Sequence, residues 1–181
     1  TFAKGLGNGL TIAGVIGRAE IMNSVSANSI STFGGNPLSC AGALANLHYL
    51  LDHGLQANTK ARGAELMAAL APLSERHPAI GEIRGKGLMI GLEFVGDDGL
   101  TPDAQVASAV LEGCKARGLL VGKGGLHGNC LRIAPPLSLT VLRGRDVVEI
   151  LTADVVAAIQ ELRARNISLA RVQIRPRTLE D

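Results

Sequence analysis

Lys4 stands between the apolar pair Phe2-Ala3 and the glycine-dense run Gly5-Leu6-Gly7-Asn8-Gly9. An amine held in such a close-packed place, desolvated or beside another cation, loses basicity and becomes a nucleophile able to form a Schiff base. A solvated lysine beside a flexible turn has the same local pattern. Thr32 comes just before the pair Gly34-Gly35, so its hydroxyl and the N–H groups of the two glycines could cradle a phosphate. Ordinary turn and helix-entry chemistry uses the same residue types. Arg132 lies inside Cys130-Leu131-Arg132-Ile133-Ala134-Pro135-Pro136, an apolar strand where a guanidinium is not buried without a partner. A fork offered to a substrate carboxylate accounts for it, and so does an outward-facing strand position.

The other chemistry-bearing residues form no pattern. His48 and His53 are five apart rather than the four of a helical metal pair, and His77 and His127 stand alone, so all four read as surface or core histidines. Lys86 and Lys123 each sit between glycines without P-loop spacing, and no Gly-x-Ser-x-Gly elbow occurs.

Helices and strands must position these groups. Residues 1–18 read as a glycine-rich loop followed by a strand carrying Thr11, Ile12, Val15 and Ile16, and 19–26 as a short helix. Pro37 opens a helix that runs to Gly54, and a second follows from Leu55 to His77 with a kink or early stop at Pro72. Ile80 to Arg84 and Gly87 to Val95 read as strands around a Gly85-Lys86-Gly87 turn, and 102–117 as a helix with Pro102-Asp103 at its start. Leu119 to Val121 and Cys130 to Ile133 are expected as strands flanking a Gly122-Lys123-Gly124-Gly125 loop. A last helix is expected over 145–165, then a basic tail over 166–181. The pattern Leu139-Thr140…Asp146-Val147-Val148 is repeated as Leu151-Thr152…Asp154-Val155-Val156, a local duplication within 139–156. Two helices followed by alternating strands and helices predict an α+β layer.

The 181 residues carry 18 Lys+Arg against 16 Asp+Glu, a net charge of +2, with 46% hydrophobic and 2% aromatic side chains. That is ample apolar material for a core, and the length alone most simply gives one domain, with two small ones as the alternative. So balanced a charge, with so few rings to stack on bases, argues against a nucleic-acid binder. No uninterrupted apolar run of about 18 residues predicts a membrane span. Three cysteines, at spacings that match neither a zinc site nor a disulfide framework, suit a reducing, cytoplasmic compartment.

Four segments in order, Thr1-Phe-Ala-Lys-Gly-Leu-Gly-Asn-Gly, Ser31-Thr-Phe-Gly-Gly-Asn-Pro, Arg84-Gly-Lys-Gly-Leu-Met-Ile-Gly-Leu-Glu and Leu131-Arg-Ile-Ala-Pro-Pro-Leu, resemble class III aminotransferases of the alanine–glyoxylate, 4-aminobutyrate and ornithine type. The resemblance covers about residues 1–140. It implies the α/β architecture of fold type I pyridoxal-phosphate enzymes, with this chain as their C-terminal part. On that reading 1–54 ends the large cofactor-binding domain, 55–165 forms a small α+β domain, and 166–181 is a tail. It further implies pyridoxal 5'-phosphate as cofactor, Lys4 as its Schiff-base lysine, Thr32 as a phosphate ligand and Arg132 as the clamp for a substrate carboxylate. Amino acids and 2-oxo acids are the implied substrates, and a homodimer with shared sites the implied assembly, Thr32 reaching the neighbour's cofactor. In the family, the acidic partner of the pyridine nitrogen and the ring-stacking aromatic both precede the lysine segment. The alternative is therefore a non-catalytic remnant unable to hold cofactor.

Overall fold

The computed structural model describes residues 1–28, 30–140, 147–153, 155–157 and 160. The chain divides into two compact units, Thr1–Gln56 and a second that begins at Ala57.

The first unit is built on α2 (Pro37–Asp52). Asn36 caps this helix, its side-chain oxygen accepting from Ser39 N at 3.0 Å, and Pro37 occupies the first turn, where a missing N–H costs nothing. The expected strand over 11–16 does not form. Phe2 and Gly14 instead exchange two backbone hydrogen bonds of 2.9 Å in an isolated bridge. A β-branched run makes a strand only where a partner strand exists, and none is present among the described residues of this unit. The helix expected over 19–26 shortens to one turn, α1 (Ala19–Met22). Ser24 lies just past it and donates its hydroxyl to the Ile21 carbonyl at 2.7 Å, the local bonding by which serine competes with helix continuation.

The second unit is a four-stranded antiparallel sheet covered on one face by helices. Its strands are β1 (Ile80–Lys86), β2 (Met89–Phe94), β3 (Gly122–Gly124) and β4 (Cys130–Ile133), in the order β1-β2-β4-β3. Leu66, Leu70 and Leu73 of α3 (Leu55–Arg76) and Val106, Val110 and Cys114 of α4 (Ala104–Ala116) pack with Ile90, Leu92, Phe94, Leu131 and Ile133 into the core. Helix α3 runs through Pro72 for one more turn, because Leu70 and Leu73 on either side of it are fully buried and hold the segment down. Ser74 and Arg76 donate back to the carbonyls of Ala71 and Pro72 in that turn. Gly63 of α3 lies against the Gly87 carbonyl so closely that a methyl group there would overlap it. Asp103 caps α4 as expected, accepting from the amides of Gln105 and Val106 at 2.8 and 3.0 Å.

Two sequence expectations shift in this sheet. The turn between the first strands is Gly87-Leu88, with Gly87 at φ +57°, rather than Gly85-Lys86-Gly87. The third strand is not Leu119–Val121 but falls inside the glycine-rich loop, at Gly122–Gly124. Of the helix expected over 145–165, the described residues are helical, with Val147, Leu151 and Val155 buried. Its remaining residues, part of the 139–156 duplication, and the tail over 166–181 lie outside the described residues.

Candidate functional site

Lys4 opens a single 3₁₀ turn, Lys4–Leu6, closed by Gly7 N donating to the Lys4 carbonyl at 3.1 Å. Its backbone is left-handed, φ +51°, as is that of Asn8 at φ +45°. For a residue with a Cβ this conformation costs about 1–2 kcal/mol and persists only where the surroundings enforce it. The enforcement comes from α2. Asn46 donates its side-chain amide to the carbonyls of both Gly5 and Leu6, each at 3.0 Å. Gly42, one helical turn earlier, lies against the Leu10 side chain so closely that any Cβ would overlap it. The exposed Lys4 side chain lies at an open cavity of about 530 Å³, lined also by Thr1, Phe2, Ala3, Ala13, Gly14 and Val15.

Thr32 lies in the turn leading into α2. Gly34 N donates to Ser31 O at 3.2 Å, Gly35 adopts φ +68°, and Asn36 spans the turn, its amide nitrogen donating to Phe33 O at 2.9 Å. One asparagine thus caps the helix and fastens the loop. The Thr32 side chain is exposed and, among the described residues, has no hydrogen-bond partner. Lys4 and Thr32 therefore belong to the same unit, both fastened to α2. Arg132 belongs to the second unit.

Arg132 lies on the face of the sheet away from the helices. Cross-strand partners share a face, and the register aligns Arg84, Gly91, Arg132 and Gly122 in one row and Glu82, Glu93, Cys130 and Gly124 in the next. In this polar layer Arg84 bonds Glu82 at 2.5 Å and also Glu93. The Arg84 hydrogen bond, reinforced by the Asn129 amide, holds the Glu93 carboxyl below the usual carboxylate range. Burial pushes the Cys130 thiol up, which makes it a poor nucleophile near neutrality. Arg84 is thus compensated by two carboxylates, whereas Arg132 is exposed and forms no ion pair among the described residues.

Sequence reasoning missed Asn46 and Gly42. Their signal was a small and a polar residue four apart on a helix otherwise rich in leucine and alanine, the spacing that places both on one face. Lys86, at the end of β1, makes no contact that marks it for chemistry; Lys123 donates to Ser108 of α4 at 2.8 Å and is a structural tether. Among the described residues no group of His, Cys, Asp or Glu could hold a metal, and no helix is long and apolar enough to cross a membrane.

The residues at the Lys4 cavity suit pyridoxal 5'-phosphate in part. A primary amine is presented to a concave, mostly apolar surface, whereas Thr32 is not among the described residues that line it. Among the described residues, no carboxylate lines that cavity to face a pyridine nitrogen.

The chain is 41% identical over 142 residues to the mitochondrial alanine–glyoxylate aminotransferase 2 homolog 2 of Arabidopsis thaliana, covering 77% of this chain and 30% of that protein. It is 39% identical over 144 residues to the human mitochondrial alanine–glyoxylate aminotransferase 2, covering 77% and 28%. The 4-aminobutyrate aminotransferase of Escherichia coli is 35% identical over 154 residues, 84% of this chain and 36% of that one. The chain thus spans about a third or less of the length of these relatives. Among solved structures, the ornithine aminotransferase of Toxoplasma gondii superposes with a TM-score of 0.69 at 32% identity, covering 82% of this chain and 34% of that one. A transaminase obtained by ancestral reconstruction gives 0.69 at 35% identity, covering 78% and 32%. The mixed α/β architecture is accordingly that of the fold type I transaminases. Residues 1–155 match the family described as aminotransferase class-III, and the chain belongs to that family.

Proposed function

We propose that this chain carries the Schiff-base lysine and the substrate-carboxylate clamp of a pyridoxal-phosphate aminotransferase, which moves an amino group from an amino acid such as alanine or 4-aminobutyrate to a 2-oxo acid. The observation that supports it best is Lys4 itself, a non-glycine residue kept in a left-handed turn by two bonds from Asn46, with its side chain at an open cavity. Strain of this kind is retained where a side chain must be aimed.

Pyridoxal 5'-phosphate, when bound, supplies the electron sink for the substrate's α-carbon. Lys4 Nζ would hold it covalently and would be the group placed to move a proton at that carbon. The Thr32 hydroxyl would donate to a phosphate oxygen. The Arg132 guanidinium, a planar fork that forms no ion pair among the described residues, would orient the substrate through its carboxylate.

A shared site in a homodimer is part of this reading, in which Thr32 serves the neighbouring subunit. Its support is the apolar surface around that residue: Ile30, Phe33 and Leu38 are 98%, 80% and 70% exposed, a density of bare hydrophobic side chains that soluble proteins cover with a partner. The free thiols Cys40, Cys114 and Cys130 suit a reducing compartment, and the cytoplasm is the placement we propose.

The test is to incubate the full chain with pyridoxal 5'-phosphate, reduce with borohydride, map the labelled peptide, and follow conversion of L-alanine to pyruvate with a 2-oxo acid acceptor. Label on Lys4 is expected. Label confined to Lys86 or Lys123, or on no lysine, overturns the assignment and favours a non-catalytic remnant.

A further inference from the structure

The outer face of the sheet carries a feature that the assignment of Arg132 does not explain. In the row Arg84, Gly91, Arg132, Gly122, both direct neighbours of Arg132 are glycines. The two bare positions are used differently. Over Gly91 lies the Cys130 sulfur, 3.2 Å from where a Cβ would stand. Over Gly122 lies the Arg132 guanidinium itself, with Nη2 at 3.2 Å, Nε at 3.3 Å and Cζ at 3.6 Å from the same point. The fork therefore rests on the α-carbon of β3. Gly122 has no left-handed φ, so its backbone suits any residue, and the absence of a side chain there serves the space above it. Lys123, whose register partner Leu131 is on the helix-covered face, ties β3 to α4 through Ser108.

We propose that Gly122 is a specificity-determining position: the size of the side chain there sets how far the Arg132 fork stands off the sheet, and so which carboxylate-bearing amino donors it can engage. The proposal rests on the reading of Arg132 as the carboxylate clamp. A methyl group at 122 must displace the fork by a few tenths of an ångström, and the flexible end of the arginine yields before the paired backbone does. A branched side chain displaces it further. With a rigid bidentate partner, shifts of this size are enough to break one of two parallel bonds. Gly124 is the internal control. It lies on the same strand and face, opposite Cys130, also without a left-handed φ, and a Cβ there would meet nothing within 4 Å.

The experiment compares Gly122→Ala, Gly122→Val, Gly124→Ala and Arg132→Lys in the full chain. Binding is read from the ¹⁵N resonance of the Arg132 Nε–H as sodium propionate is added, the signal being assigned by its loss in Arg132→Lys; turnover is read as KM and kcat for L-alanine in the cofactor-loaded protein. Gly122→Ala should weaken propionate binding and raise KM about tenfold with kcat within about twofold, Gly122→Val should do more, and Gly124→Ala should match the unsubstituted chain. If Arg132→Lys leaves KM for L-alanine unchanged, the clamp reading fails and the proposal falls with it. If Arg132→Lys raises KM while both Gly122 variants match the unsubstituted chain, the clamp reading stands and the proposal alone is overturned. An equal effect of Gly124→Ala would also overturn it, by showing a response of the strand rather than of the fork. Should Gly122→Val fail to fold, Gly122→Ala carries the decision.

Discussion

Replacing Asn46 by alanine removes the two 3.0 Å bonds that fasten the Gly5 and Leu6 carbonyls to α2. Each such bond is worth a net of about 0.5–1.5 kcal/mol, so the pair contributes about 1–3 kcal/mol. Against it stand the left-handed backbones of Lys4 and Asn8, each costing about 1–2 kcal/mol, which relax when the turn opens. The two quantities are comparable, so the turn is held by a narrow margin and loss of the tether should be felt in full. At about 1.4 kcal/mol per decade, the open population of the turn should rise roughly five- to a hundredfold. The reporters are the amides of Gly7 and Leu10, which donate to Lys4 O and Gly7 O at 3.1 and 3.0 Å. Their native-state hydrogen exchange should accelerate by that factor, with no change at Leu92 or Leu131 in the second unit, and borohydride-trapped pyridoxal phosphate on Lys4 should fall in step. Asn46→Asp is the sharper perturbation, because it keeps the shape, removes the donor and sets a carboxylate against two carbonyls. Unchanged exchange at Gly7 and Leu10 in Asn46→Asp would refute the tether and with it the account of why Lys4 tolerates its backbone.

Arg132→Lys keeps the charge and loses the planar fork, so kcat/KM for carboxylate-bearing donors should fall roughly ten- to a hundredfold, at about 1.5–3 kcal/mol per charge-assisted bond, while pyridoxal phosphate still labels Lys4. Mixed subunits carrying Lys4→Ala and Thr32→Ala should recover part of the activity each lacks alone, since one of the two sites would be intact; no recovery in verified heterodimers counts against a shared site. Asp98 accepts from the amides of Leu100 and Thr101 at 2.9 and 2.8 Å and from the Thr101 hydroxyl, which lowers its pKa to about 2. A depressed carboxyl stabilises its turn above its unfolded pKa of about 4 and loses that contribution as pH falls through about 2. Protection of the Leu100 and Thr101 amides should therefore decline between those values, and Asp98→Asn should abolish the dependence.

The elements most legible in the sequence were those whose cause is local. Asn36-Pro37 and Asp103 start α2 and α4 as their residue types require, and the apolar spacing of α3 and β2 matches their buried faces. Errors arose where partners far along the chain decide. Thr11 to Ile16 have strand propensity but, among the described residues of their unit, no strand to pair with. Gly122-Lys123-Gly124 reads as a loop and becomes a strand because β4 pairs with it. Pro72 marks a break only until the burial of Leu70 and Leu73 outweighs it. At the candidate site the same division holds. By type and setting Lys4, Thr32 and Arg132 are each open to an ordinary structural reading, and only the family resemblance gives them roles, whereas Asn46 acts across forty residues of sequence on backbone carbonyls that no side-chain pattern displays.

The outer face of the sheet shows where stability and function part. Glycine weakens strands, and two of the three residues of β3 are glycine, as is Gly91 at the centre of β2. An acidic residue opposite Arg132 would contribute about 0.2–1 kcal/mol as a cross-strand pair; Arg84, whose direct cross-strand partner is likewise a glycine, Gly91, is neutralised instead by Glu82 on its own strand and by Glu93 diagonally across β2. The sheet thus contains the means to neutralise an arginine, applies it to Arg84 and withholds it from Arg132. Folding alone gives no reason for that difference, since both arginines lie on the same exposed face of the same row. On the proposed reading of Arg132 as a carboxylate clamp, a requirement that one fork remain free and flat supplies the reason, and conflict between local propensity and observed structure is the mark expected of a functional position.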